Sequence, residues 1–129
     1  MTEYLICEAP VCYNPGMKII RDKITLAELD EMASKSFGPL VKAVVDIGKE
    51  IMVVDAELHA DEEAVLLDEG SEQHNLWGIN LYPQEQGENF IEFDSMINLR
   101  PSQGNRSRGV DDPAIRERII ALVDKLVER

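Results

Sequence analysis

Hydrophobic and polar positions alternate with a period of two along residues 91–100, and this alternation predicts a β-strand. One face would carry Ile91, Phe93, Ser95, Ile97 and Leu99, and the other Glu92, Asp94, Met96, Asn98 and Arg100. Such a pattern is typical of a strand with one face on a core and the other facing water or a ligand. Pro101 lacks a backbone donor and is predicted to end the strand.

Three stretches are predicted to be helices. The first begins at Thr25, which can form a capping box with Glu28, and ends before Gly38. The second covers residues 58–69, and its acidic first turn suits the positive end of the helix dipole. The third begins after Asp112, a suitable N-cap residue that precedes a proline.

The remaining apolar segments are predicted to be strands. Residues 40–47 and 51–56 are rich in valine and isoleucine, and Gly48-Lys49 between them suits a two-residue hairpin turn. A short strand is expected at residues 19–20 and another at residues 77–82. The order of elements predicts an α+β fold, a mostly antiparallel sheet of four to five strands with two or three helices packed on one side.

Length and composition indicate one domain with an extension. The chain has 129 residues, enough for a single core. Residues 1–16 differ in character from the rest and are interpreted as an N-terminal extension to a single α+β domain at 17–129. Cys7 and Cys12 lack a second Cys or His pair, which favours free thiols over zinc. With neither a membrane-spanning apolar run nor a secretory signal in the sequence, a cytoplasmic location is expected.

The net charge of −12 is unevenly distributed. Residues 50–99 hold thirteen acidic residues and no Lys or Arg, whereas residues 100–108 hold three arginines and no acid. The acidic balance argues against nucleic acid as a partner, because a basic surface dominates that affinity. A local group of arginines can still bind one phosphate or carboxylate.

The segment after Pro101 is the main candidate for a binding site. Residues 102–109 contain no apolar side chain and offer arginine forks and backbone N–H groups to an anion. The candidate ligand-binding residues are Arg100, Ser102, Gln103, Asn105, Arg106, Ser107 and Arg108. A neighbouring polar face would consist of Asn80, Glu92, Asp94 and Asn98. The same segment also fits a solvated connection between a strand and a helix.

A second candidate site lies on the predicted helix at residues 58–69. His59 and Glu63 are four residues apart and would share a helix face, and Asp61 lies between them. These three residues form a candidate half of a metal site. The second histidine of the zinc-protease helix is missing, and a solvent-facing acidic turn is the favoured interpretation.

Several longer segments resemble a small uncharacterised prokaryotic family, known only as a domain of unknown function. The resemblance is carried by residues 44–47 (VVDI), 57–63 (ELHADEE), 76–83 (LWGINLYP) and 93–110 (FDSMINLRPSQGNRSRGV). It covers Met17 to the C-terminus and leaves the first sixteen residues outside. The resemblance implies a bacterial cytosolic domain and brings no activity, cofactor or catalytic residue.

The favoured functional hypothesis is a binding module for a small anionic ligand, bearing phosphate or carboxylate, or for an acidic protein partner. It needs no cofactor and uses the arginine-rich loop at residues 100–109. The alternative is a phosphoester hydrolase with a divalent metal, in which His59, Glu63 and Asp94 hold the ion and the loop arginines stabilise charge. A third hypothesis is an interaction protein that forms a homodimer through a strand edge. The pattern assigns no catalytic residue and no specific ligand.

Overall fold

A computed structural model of the chain describes residues 17–36 and 38–129, so the predicted extension, with Cys7 and Cys12, lies outside the described residues. The strands are β1 (Lys18–Ile20), β2 (Ile24–Thr25), β3 (Val41–Asp46), β4 (Ile51–Val54), β5 (Leu76–Leu81), β6 (Ile91–Glu92) and β7 (Val127–Glu128). The helices are α1 (Leu26–Lys35), α2 (His59–Asp68) and α3 (Pro113–Leu126). Short 3-10 turns occur at Gln73–Asn75, Gly87–Asn89, Met96–Asn98 and Pro101–Gln103. None of the described helices is both long and apolar enough to cross a membrane.

Five of these strands form one antiparallel sheet in the order β1-β4-β3-β5-β6. The two remaining strands, β2 and β7, pair in parallel and join the two ends of the described chain. The longest ladder runs between β3 and β5, where Val41 lies opposite Leu81 and Asp46 opposite Leu76. The predicted α+β class and the antiparallel sheet are confirmed.

The sheet is covered on both faces. Side chains of α1 and α3, including Leu29 and Ile119, share a core with Ala43 of β3 and Ile79 of β5. On the opposite face, α2 contributes Val65 to a second apolar cluster. That cluster consists of Val44, Ile51, Val53, Val65, Leu66 and Leu76. Two helices, α1 and α3, therefore pack on one side of the sheet as predicted. The third helix, α2, lies on the opposite side, which the prediction did not include. Because β3 and β4 are apolar on both faces, both faces require cover.

The helix ends follow the signals in the sequence. The Glu28 backbone N–H donates to Thr25 Oγ1 at 3.1 Å, and the Thr25 N–H donates to Glu28 Oε1 at 3.1 Å, so the capping box is confirmed. Asp112 Oδ1 accepts from the Ala114 N–H at 2.9 Å at the start of α3. These contacts connect residues within three positions of each other, which is why sequence alone could identify them.

The predicted strand at residues 91–100 is wrong beyond Glu92. After Glu92 the chain leaves the sheet edge and crosses the face of β5 above Gly78. A Cβ atom at Gly78 would lie 2.5 Å from Ser95 Oγ, so the close approach depends on that glycine. The alternating pattern is present, but tertiary packing overrides it.

The turn between β3 and β4 also differs from the prediction. Four residues, 47–50, connect the strands, and the Glu50 N–H donates to the Asp46 carbonyl at 2.8 Å. The Asp46 carboxylate accepts from the backbone N–H groups of Gly48 and Lys49 at 2.8 and 3.0 Å. The aspartate side chain therefore shapes a longer turn than the two-residue turn expected from Gly48-Lys49.

Candidate functional site

The loop that carries the arginines is held in one shape by the side chain of Asn105. This side chain is buried, and its Nδ2 donates to the carbonyls of Asn98, Gly109 and Ser107 at 2.7, 2.8 and 3.1 Å. Its Oδ1 accepts from the Asp111 N–H at 2.8 Å. One amide thus joins both ends of the loop, and the backbone between residues 105 and 111 is fixed.

Asn98 attaches the same loop to the sheet. Its Oδ1 accepts from the Gly78 N–H at 2.8 Å, and its Nδ2 donates to the carbonyls of Gly78 and Arg108, both at 2.9 Å. The side chain is fully buried. It satisfies both backbone groups of a residue in the middle of β5, as a neighbouring strand would do.

Arg100 lies in the interior of the protein. Its guanidinium donates to the Gln73 carbonyl at 2.8 Å and to the Leu76 carbonyl. Its Cζ lies 4.2 Å from the centroid of the Trp77 ring, a cation–π contact. The prediction that Arg100 contacts a ligand is therefore not supported, because the side chain ties the loop to β5 and to the turn before it.

The other two arginines lie at the surface. Arg108 Nε donates to Asp94 Oδ1 at 2.7 Å, and these side chains are 55% and 44% exposed. Arg106 is exposed, and within the described chain its guanidinium has neither an ion-pair nor a hydrogen-bond partner. The Asp111 carboxylate accepts from Ser107 Oγ at 2.5 Å and from the Arg106 N–H at 2.8 Å. These hydrogen bonds, that of Ser107 above all, lower the pKa of Asp111 and keep it charged.

Of the other predicted ligand residues of the loop, one is exposed and one bonds to another part of the protein. Ser102 is exposed, whereas Gln103 Nε2 donates to Gln73 Oε1 at 3.1 Å. A cavity of about 550 Å³ borders the loop. It is lined by His74, Trp77, Gln103, Gly104, Asn105, Asp111, Asp112 and Ile115. Arg106 and Arg108 do not line it, so the predicted set does not converge on this cavity.

Most of the predicted polar face comes together beside Arg108. Asn80 Nδ2 donates to Glu92 Oε1 at 2.9 Å and to the Asp94 carbonyl at 3.3 Å. The Tyr82 hydroxyl also donates to Glu92 Oε1 at 2.9 Å. Burial, and then the hydrogen bond and the charge of Glu92, raise the pKa of Tyr82. The salt bridge between Asp94 and Arg108 connects this face to the arginine loop.

The predicted metal ligands are not assembled. His59 is buried, and its Nε2 lies 2.8 Å from the Ile79 carbonyl, which requires the proton on Nε2. Burial lowers the pKa of His59 and favours the neutral ring. Across residues 17–36 and 38–129, no three His, Cys, Asp or Glu side chains form a group that could hold a metal ion. His59, Asp61 and Glu63 therefore do not form a metal site in this geometry.

Sequence reasoning missed the burial of one acid of α2, Glu62. Glu62 is fully buried, its Oε2 accepts from the Ala56 N–H at 3.1 Å, and its Oε1 has no partner within the described part of the chain. Burial raises the pKa of Glu62 well above its ordinary value, which favours the neutral acid. Nothing in the sequence distinguishes Glu62 from the acids on either side, because only the direction of the helix decides which of them is buried.

Comparison with known proteins identifies the family. The model of the family described as "Protein of unknown function (DUF5674)" matches residues 18–126, and the chain belongs to that family. No curated protein and no solved structure matches the chain at a significant level.

Proposed function

We propose that this member of an uncharacterised family is a binding module for an oxyanion, a phosphate or a carboxylate, which Arg106 and Arg108 contact from the surface loop. The observation that carries the proposal is the Arg106 guanidinium, exposed and without a partner in the described chain, at the outer side of a loop whose backbone is fixed. A guanidinium offers two parallel N–H donors that match the geometry of a carboxylate or a phosphate.

The fixed loop favours binding because its backbone is already ordered before a ligand binds. Asn105 holds the backbone on both sides of Arg106 in the free protein. Ordering a mobile loop on binding costs free energy that subtracts from the affinity. A preformed loop avoids most of that cost and leaves only the arginine side chains to be ordered.

Arg108 can join the site by exchanging its partner. Its contact with Asp94 involves two side chains that are each about half exposed. Surface pairs of this kind contribute roughly 0–1 kcal/mol, which a phosphate with more charge can replace. The acids Asp94 and Asp111 near the arginines would disfavour a long polyanion. A single phosphate or carboxylate group, on a small molecule or on an acidic protein segment, is the ligand that this arrangement suits.

Calorimetric titration with inorganic phosphate and acetate, which each carry one anionic group, tests the proposal. We expect saturable binding to the natural chain and at least a tenfold loss of affinity in the double variant Arg106→Ala/Arg108→Ala, which removes both charge-assisted contacts. The double variant Arg21→Ala/Lys35→Ala is the matched control. It removes the same charge from exposed residues that pair with Glu69 and Glu31 elsewhere on the surface.

The outcome separates a site from general electrostatics. Equal weakening in the two double variants would mean that only the overall charge matters, and the proposed site would be wrong. Absence of saturable binding to the natural chain would have the same consequence. A parallel titration with an acidic peptide distinguishes the two sources of the anion, since a small-molecule site should prefer inorganic phosphate and a protein-binding site should prefer the peptide.

Metal-assisted hydrolysis of a phosphoester stays a prediction from the sequence. Its direct test is a thermal-shift titration with divalent ions in the natural chain and in a His59→Ala variant.

We also propose a cytoplasmic location for the protein. A homodimer through the outer strands β1 or β6 stays a prediction, which light scattering would check.

A further inference from the structure

A separate cleft lies between β6 with the residues around it and the outer face of α3. It has a volume of about 560 Å³. Its lining consists of Gly87, Glu88, Phe90, Ile91, Phe93, Arg116, Ile120, Asp124 and Arg129. This volume is within the range of sites that hold small organic ligands. None of these residues belongs to the loop that carries Arg106 and Arg108.

The cleft has an apolar floor. Phe90 is almost fully buried, and Phe93 packs against the same core while remaining partly accessible. Ile120 is 41% exposed on α3. The Arg129 guanidinium carbon lies 4.7 Å from the centroid of the Phe90 ring, so a cation already covers part of the aromatic surface. An apolar group of a ligand placed here would cover exposed carbon of Phe93 and Ile120.

One cation of the cleft, Arg116, is held in place and has no ion-pair partner among the described residues. Arg116 Nη1 donates to the backbone carbonyl of Val110, which fixes the direction of the guanidinium. Among the described residues, no carboxylate lies within ion-pair distance of Arg116. Arg129, in contrast, has Asp124 at 3.7 Å. The charge of Arg116 also lowers the pKa of Asp111, but the two side chains form no ion pair, so N–H groups of Arg116 remain available to a carboxylate.

The acids of the cleft restrict the ligand further. Glu88 and Asp124 also line it, so a ligand with several negative charges would be repelled. An amine would find these acids but would face the fixed guanidinium of Arg116. The charge pattern, together with the apolar floor, suits a ligand with one negative group and one apolar part.

We propose that this cleft binds a compact monocarboxylate with an aromatic or aliphatic tail. The carboxylate contacts Arg116, and the tail lies against Phe93 and Ile120. The site is independent of the anion site at Arg106 and Arg108, and either site can exist without the other.

Titration of the whole chain with 3-phenylpropanoate and octanoate tests this inference, with calorimetry for affinity and two-dimensional NMR for location. We expect saturable binding, with the largest shifts in amide resonances of residues 87–93 and 116–120. Arg116→Gln should weaken binding at least tenfold, because the charge-assisted contact is lost. Arg118→Gln is the matched control on the same helix. It removes the same charge outside the cleft, and we expect unchanged affinity.

A second variant covers the case in which Arg116→Gln disturbs folding through Val110. Ile120→Asn changes an exposed apolar side chain, and we expect binding about five times weaker because apolar contact is lost. The inference is wrong if neither carboxylate saturates, if 2-phenylethylamine or octylamine binds as tightly, or if Arg118→Gln weakens binding as much as Arg116→Gln.

Discussion

Replacing Asn105 by alanine tests whether the arginine loop is a fixed structure. The Asn105 amide has two hydrogens on Nδ2, and three carbonyls lie within 2.7–3.1 Å of that nitrogen. Its Oδ1 accepts one further hydrogen bond, from the Asp111 N–H. Asn105→Ala removes two donors and one acceptor from a side chain that is only 4% exposed.

The expected loss of stability follows from that count. A hydrogen bond of this kind contributes roughly 1 kcal/mol net, so three of them amount to about 3 kcal/mol. The loss is limited because water can reach some of the freed carbonyls at the protein surface. Since small domains are stable by only about 5–15 kcal/mol, a loss of this size is readily measured.

Urea denaturation measures the free energy of unfolding, with the fluorescence of the single tryptophan, Trp77, as the signal. Asn89→Ala is the matched control, because Asn89 is exposed and its side chain makes no hydrogen bond within the described chain. We expect the control to lie within about 0.5 kcal/mol of the natural protein. A loss for Asn105→Ala that is no larger than this would refute the reasoning that the amide fixes the loop.

Two further predictions concern the sheet and α2. Gly78→Ala should destabilise the protein by about 1–3 kcal/mol, because its Cβ would lie 2.5 Å from Ser95 Oγ. Adding Ser95→Gly should recover part of that loss in the same urea assay. Glu62→Gln should gain stability relative to the natural chain as the pH rises above about 4.5, because Glu62 then ionises in the unfolded chain while burial keeps it protonated in the fold. Denaturation at several pH values should show that the difference in unfolding free energy between the variant and the natural chain grows by up to about 1.4 kcal/mol per pH unit. A difference that is constant with pH would contradict the interpretation that Glu62 is a buried acid.

The sequence predicted those parts of the fold that depend on near neighbours. The capping box of Thr25 and the N-cap at Asp112 are decided within a few residues, and both are present. The α+β class followed from the order of apolar segments. The covered second face of the sheet was missed, although the apolar residues on both sides of β3 carried that signal. The alternation after Glu92 was misleading, because Asn98 satisfies Gly78 in place of a strand.

The candidate site was harder to predict because a residue type does not reveal how its hydrogen bonds are used. The contact between Asn80 and Glu92 could be expected once two strands were assumed to pair, and their register does place them opposite each other. The burial of Arg100 and Glu62 could not be expected from the sequence, because it depends on residues far away in the chain. In the sequence, Arg100 and Arg106 are both arginines of one loop and cannot be distinguished. Only the structure shows that the Arg100 guanidinium donates its hydrogen bonds to backbone carbonyls.

Two interpretations of the arginine loop remained open from the sequence, a binding site and a solvated connection, and the hydrogen bonds of the loop bear on that choice. A solvated connection can satisfy its backbone with water and needs no buried side chains. This loop instead uses the buried amides of Asn98 and Asn105 to fix its backbone. Buried polar groups stabilise little compared with apolar packing, but they specify one geometry. The proposed binding of an oxyanion would use this geometry, with the unpaired Arg106 at the outer side of the loop. If that proposal is correct, Asn105→Ala should weaken anion binding although both surface arginines remain.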